Sequence, residues 1–269
     1  MKTGIRLVII TCLSVTTGIA VFSFPPIPQD QNYHNFTDQR TMLGIPNFLN
    51  VISNLPFLLV ALYGLFVLRQ QWRIEQQMTF IETNVWWPYL LFFSGLGLTG
   101  AGSIYYHLHP DNMVLLWDRI PMTIVFMSFF SAIITEHVNR KAGILSLLPL
   151  IVLGIASVIY WEVTEIRGMG DLRPYIMVQY YPMLAIPVII LLFPSAQTGS
   201  KNLFGVFIFY GLAKIFEVLD AEIFSLGQIF SGHSLKHLAS AVSAFWIIRM
   251  VRSRLPVNCR MNRLETPPL

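Results

Sequence analysis

The chain has 269 residues, 54% hydrophobic and only 12% charged, with a formal net charge of +4. Soluble domains carry roughly 25% charged residues, so a soluble enzyme is excluded. The positive excess sits in short connections, where it sets membrane orientation and requires no nucleic-acid partner.

The apolar residues gather into eight blocks: 7–22, 47–68, 88–107, 116–135, 143–160, 175–193, 203–219 and 234–251. Each approaches the roughly 20 residues that cross a bilayer as a helix. Backbone amides in lipid need internal partners, which leaves helices or closed barrels. The runs are continuous rather than alternating, so barrel strands are excluded. The expected fold is an all-α polytopic membrane protein, a seven-helix bundle with one additional N-terminal apolar helix. The chain shows no internal repeat.

The first block follows Lys2 and Arg6, as a signal peptide would. Its length favours an uncleaved anchor, with cleavage left open. The expected divisions are an anchor or signal segment over 1–23, an extracytoplasmic segment over 24–46, a seven-helix core over 47–251 and a basic cytoplasmic tail over 252–269. Twelve basic residues flank one side of the segments and four the other, so both termini are expected in the cytoplasm. The tail can also touch anionic lipid headgroups. Cys12 and Cys259 are expected at different depths and unpaired.

Polar side chains at membrane depth are costly and mark candidate sites. In the second block, Asn50, Ser53 and Asn54 read as helix-packing hydrogen bonders. The third block ends in Ser103-Ile104-Tyr105-Tyr106-His107, with Ser103 and His107 on one helix face. After a short turn, Asp118 in the fourth block returns to the depth of His107. His109 precedes Pro110 and reads as a loop residue. His34 and His137 read as surface residues, and the polar stretch 161–173 as a solvated outer loop. In the seventh block, Lys214 and Glu217 read as a structural ion pair. The last block opens with His233 and His237, four apart on one face, about 125 residues beyond His107.

Three neutral imidazoles at one depth suit a catalytic zinc ion with an open fourth position. Asp118 is then placed to handle protons and Ser103 to donate to an oxyanion. A His pair at this spacing also arises by chance, and membrane histidines also hydrogen-bond between helices. Composition and spacing leave both readings open.

Ser103-x3-His107, Asp118-x2-Pro121-Met122 and His233-x3-His237 together resemble the alkaline ceramidase group of the CREST superfamily of seven-helix membrane hydrolases. The run Asn50-Val51-Ile52-Ser53-Asn54-Leu55-Pro56-Phe57 is similar to that group's first-helix signature. The resemblance implies Zn2+ on His107, His233 and His237, with Asp118 and Ser103 beside its water. It implies hydrolysis of the N-acyl bond of ceramide or another N-acyl lipid drawn from the membrane. The eukaryotic group carries an acidic calcium-binding stretch before the core and a Glu inside the first core helix. This chain has residues 35–40 and Asn47 at those places, which speaks against calcium and fits a divergent, bacterial-type branch. Three other readings stay open: another lipid hydrolase of the superfamily, cutting an ester or a different amide; a zinc-containing lipid receptor with little turnover; or a transporter or assembly factor with core histidines and no metal.

Overall fold

The computed structural model describes residues 1–78, 83–194 and 201–253. Among them regular structure is helical. In chain order the α-helices are α1 (Thr3–Ser23), α2 (Phe48–Ile52), α3 (Leu55–Met78), α4 (Trp87–Leu108), α5 (Asn112–Ile133), α6 (Arg140–Ile166), α7 (Arg173–Leu192), α8 (Asn202–Val218), α9 (Asp220–Ser225) and α10 (Gly232–Arg252).

Each expected block coincides with a long helix, with one division. Block 47–68 breaks between α2 and α3 at Ser53 and Asn54. Pro56 has no N–H to continue the α2 ladder, and the backbone turns there through short Asn54-to-Val51 and Phe57-to-Asn54 bonds. Side-chain caps start three other helices. Asp111 accepts from the Val114 N–H, Asn139 from Ala142 and Ser231 from Ser234.

Five stretches are long and apolar enough to cross a membrane: Thr3–Ser23, Phe48–Arg73, Asn112–Val138, Arg140–Ile166 and Arg173–Leu192. Helix α8 has 17 residues. Helices α4 and α10 are diluted by the glycine, serine, histidine and lysine that build the interior described below. The outward faces are apolar too, with Leu59, Leu145, Leu191 and Phe204 all more than 65% exposed. Such a surface is stable against hydrocarbon and not against water. The chain is an all-α membrane protein.

Helix α4 packs chiefly on α5 and α3, and α10 on α8 and α3; α6 and α7 close the bundle against α5. The main core runs through Phe92, Phe93, Ile133, Ile186 and Ile248. Helix α1 buries no residue and leans on α7, where Ser14 Oγ meets Tyr181 Oη. Cys12 is exposed on it as a free thiol; Cys259 and tail residues 254–269 lie outside the described residues.

Three expectations need correction. His137 is buried on the π-helical turn Ile134–Val138 that extends α5, its Nδ1 at 2.8 Å from the Phe193 carbonyl. His34 is half-buried and bonds Tyr106 Oη and Asn112 Oδ1, both at 2.9 Å. The stretch 161–173 is not all loop: α6 continues to Ile166, and Trp161 and Glu162 are buried.

Candidate metal centre and lipid cavity

Two helix ends and one close approach assemble the site. His107 lies in the last turn of α4, and its carbonyl accepts from Asn47 Nδ2 at 2.9 Å. Asn47 holds a left-handed backbone at φ 48°, a conformation tolerated by asparagine, which turns the chain into α2. One turn before His107, Gly102 lets α4 approach α5. A Cβ there would stand 2.1 Å from the Trp117 carbonyl oxygen. That contact brings Ser103 and Asp118 to the wall of one cavity.

The start of α10 is equally constrained. A Cβ on Gly232 would stand 2.2 Å from the Phe216 carbonyl oxygen and 2.7 Å from Asp220 Cα. The His233 N–H donates to Asp220 Oδ1 at 2.7 Å. Ser231 and Ser234 hydroxyls both donate to Asn50 Oδ1, tying α10 to α2. His233 and His237 therefore project from a fixed helix end, one turn apart.

The three imidazoles converge. His107 Nε2 lies 3.3 Å from His237 Nε2 and 3.3 Å from His233 Nε2. All three rings are buried, and each offers a nitrogen within 4.8 Å of the others. Nitrogens bound tetrahedrally at about 2.0–2.1 Å from one ion lie about 3.3–3.4 Å apart, so this donor set fits a zinc-sized ion. His237 Nδ1 is engaged by Ser53 Oγ at 2.8 Å, whereas His107 Nδ1 is buried without a partner.

The segment before α2 covers this centre. Phe36 is 4% exposed, its ring centroid 4.6 Å from that of His107 and 5.1 Å from that of His233. Asp38 and Arg40 clamp the segment. Arg40 binds the Asp38 carboxylate and the carbonyls of Gln228 and Ile229, and Asn50 Nδ2 donates to the Asp38 carbonyl. Burial raises the Asp38 pKa, but the hydrogen bonds and charge of Arg40 outweigh it, and the net position is below the usual value.

A cavity of about 380 Å³ opens beside the histidines. His237, Ser103 and Asp118 line its polar end, and Phe92, Leu96, Phe129, Val206 and Ile247 its apolar length. Asp118 is 8% exposed, and its Oδ1 has no hydrogen-bond partner. On the same wall, Lys214 and Lys236 share the Glu217 carboxylate, at 2.5 and 3.3 Å.

Of the residues singled out in the sequence, His107, His233, His237, Asp118 and Ser103 lie together. His109 follows α4 outside the histidine cluster, and Lys214 and Glu217 form the expected pair with Lys236 added. Sequence reasoning missed Arg119, Phe36 and the bond from Ser53 to His237. For Arg119 a signal existed, a lone guanidinium at the head of an apolar block; for Phe36 there was none.

The fold and the cavity together define a membrane-embedded protein with a metal-competent histidine centre next to a largely apolar cavity. A family model described as Ceramidase matches residues 40–215, 176 of the 269. The chain belongs to the ceramidase family. The matched stretch includes Ser103, His107 and Asp118, while His233 and His237 lie beyond it. No curated protein matches the chain. Family membership supports an amide hydrolase of ceramide-like lipids, and the histidine cluster could hold a metal ion.

Proposed function

We propose that the chain is a zinc-dependent lipid amidase that cleaves the N-acyl bond of ceramide or a closely related lipid. The observation that carries this reading is the 3.3 Å convergence of imidazole nitrogens at the polar end of an apolar cavity. His107, His233 and His237 would hold the ion. Zinc on three neutral histidines supplies a Lewis acid and a water whose pKa is lowered toward neutrality.

The chain's own residues supply the rest. The apolar length of the cavity takes the acyl chain and sets the amide at the polar end. Asp118, with an unpartnered carboxylate oxygen, takes the proton of the attacking water. It then delivers that proton to the departing nitrogen, as the C–N bond breaks and the new C–O bond is complete. Ser103 donates from the side of Asp118 toward the carbonyl oxygen as negative charge builds. Phe36 covers the histidines and excludes bulk water, which strengthens each electrostatic contact inside. The products are a sphingoid base and a fatty acid.

In the membrane, α4, α8 and α10 would cross with the five apolar stretches, giving a seven-helix core over 47–251 and an anchoring α1 within 1–23. The bias of basic residues supports cytoplasmic termini, with the centre and segment 24–46 on the extracytoplasmic side.

The deciding experiment measures metal content and lipid products on the purified chain. Near-stoichiometric zinc with release of fatty acid from an N-acyl sphingoid lipid is expected. Stoichiometric zinc with hydrolysis confined to a matched ester would replace the amidase reading, and zinc without turnover would indicate a receptor.

A further inference from the structure

Arg119 follows Asp118 on α5 and is 6% exposed. Three aromatic rings surround its guanidinium. Its Cζ lies 4.4 Å from the Trp161 ring centroid, 5.0 Å from that of Tyr175 and 5.7 Å from that of Tyr33. Nη2 donates to the Gln29 amide oxygen at 2.6 Å, while Nη1 is buried with no partner.

Of the other basic side chains near the outer end of the bundle, Arg167 is exposed, and the rest have carboxylates. Lys214 and Lys236 share Glu217, Arg173 pairs with Asp171 and Arg40 with Asp38. Among the described residues Arg119 has no such ion pair. Asp118 and Glu162 feel its charge through space, but neither bonds to it. Aromatic faces offset part of the cost of burying a guanidinium. They do not replace an anion, and a charge left bare inside a bundle is retained where something binds it.

Arg119, Tyr33 and Tyr175 belong to the wall of the same cavity as Ser103, Asp118 and His237. The cavity's charged lining is Arg119, Lys214 and Lys236 against Asp118 and Glu217, so it carries one cation in excess. A guanidinium fork matches the paired oxygens of phosphate, sulfonate or carboxylate.

We propose that Arg119 determines headgroup specificity, binding an oxyanion on the sphingoid side of the N-acyl lipid. The aliphatic chains fit the apolar length of the cavity. Arg119 stands at the end bounded by Tyr33 of the outer segment and Leu172 of the α6–α7 connection, where a headgroup reaches the interface. The inference deepens the amidase reading and rests on it. The same fork could also receive the carboxylate of the released fatty acid, which is the other source of this chemistry.

The test uses the zinc-loaded full chain in vesicles. Three N-acyl sphingoid lipids share one acyl chain and carry a hydroxyl, phosphate or sulfonate headgroup. The wild-type chain is expected to favour the two anionic lipids by about 10–100-fold in kcat/KM, the worth of one charged hydrogen-bonded contact. Arg119→Gln should collapse that ratio, and Arg119→Lys should leave an intermediate one. A binding readout on the wild-type chain alone guards against misfolded variants: a non-hydrolysable phosphate-headed N-alkyl analogue should raise the melting temperature more than its hydroxyl-headed twin. Equal kcat/KM for the three lipids, or a ratio that persists in a folded Arg119→Gln chain, would overturn the proposal. So would fatty-acid inhibition relieved by Arg119→Gln without any headgroup preference, since that assigns the fork to the product. If the wild-type chain cleaves none of the lipids, the amidase reading fails, and the melting shift decides the role of Arg119.

Discussion

Ser53 and His237 share a 2.8 Å hydrogen bond between the serine Oγ and imidazole Nδ1. The serine hydroxyl donates to the Asn50 carbonyl at 3.1 Å, so it accepts from the imidazole. The proton is thereby held on Nδ1, and the Nε2 lone pair faces the other two histidines. Partners of this kind fix the tautomer and raise ligand basicity. Ser53→Ala should weaken zinc binding about 10–100-fold, with Ser53→Thr closer to wild type. Competition against a chromophoric chelator measures this, and an unchanged affinity would reduce Ser53 to a packing residue.

Replacement of the candidate ligands and of the proposed proton carrier should separate cleanly. His107→Ala, His233→Ala and His237→Ala are each expected to lose metal and turnover together. Asp118→Asn should retain metal and lose about 10²–10⁴-fold in kcat. Under the proposed reading, dialysis against a chelator should abolish hydrolysis, and added zinc should restore it. Full turnover by a metal-replete Asp118→Asn chain would show that another group moves the proton.

Gly102→Ala places a methyl group 2.1 Å from the Trp117 carbonyl oxygen, which is backbone and cannot rotate away. Helices α4 and α5 must separate, at a cost of about 1–3 kcal/mol. Ser103 and Asp118 then part, so turnover should fall at least about tenfold, because small misplacements near the chemistry are expensive. Thermal unfolding in detergent and kcat on the same sample check both effects. A wild-type melting point in Gly102→Ala would show that the two helices have slack at this level.

The Asp38 clamp has a pH signature. Its carboxyl titrates below the usual carboxylate value in the folded chain, so its contribution is complete above about pH 4. That contribution fades as pH falls through the lowered native value. The stability gap between wild type and Asp38→Asn should be widest at neutral pH and close on acidification. A pH-independent gap would mean that Asp38 acts through shape rather than charge.

Much of the bundle was legible because hydrocarbon imposes a simple rule: long apolar runs must be helices. Ser103, His107, Asp118, His233 and His237 stood out for the converse reason, as polar groups where burial is costly. What the sequence hid depends on chain segments meeting across space. Asn50 and Ser53 look like generic packing groups until α10 arrives beside them and makes one a tether for Ser231 and Ser234 and the other a brace for His237. Phe36 lies in a segment with no periodicity, and nothing local announces that it folds over two imidazoles. His137 looked exposed because it lies just beyond an apolar block, yet the π-helical extension of α5 presents it to the Phe193 carbonyl.

Two of the three candidate ligands stand on α10, after every other described helix in the chain. During synthesis the donor set is thus incomplete until that helix has left the ribosome and docked beside α2. Under the proposed reading, capture of the ion is a late event in biogenesis, and a nascent chain stopped before residue 232 would offer one imidazole to zinc rather than three. Loading then serves as proof that the whole bundle has been inserted.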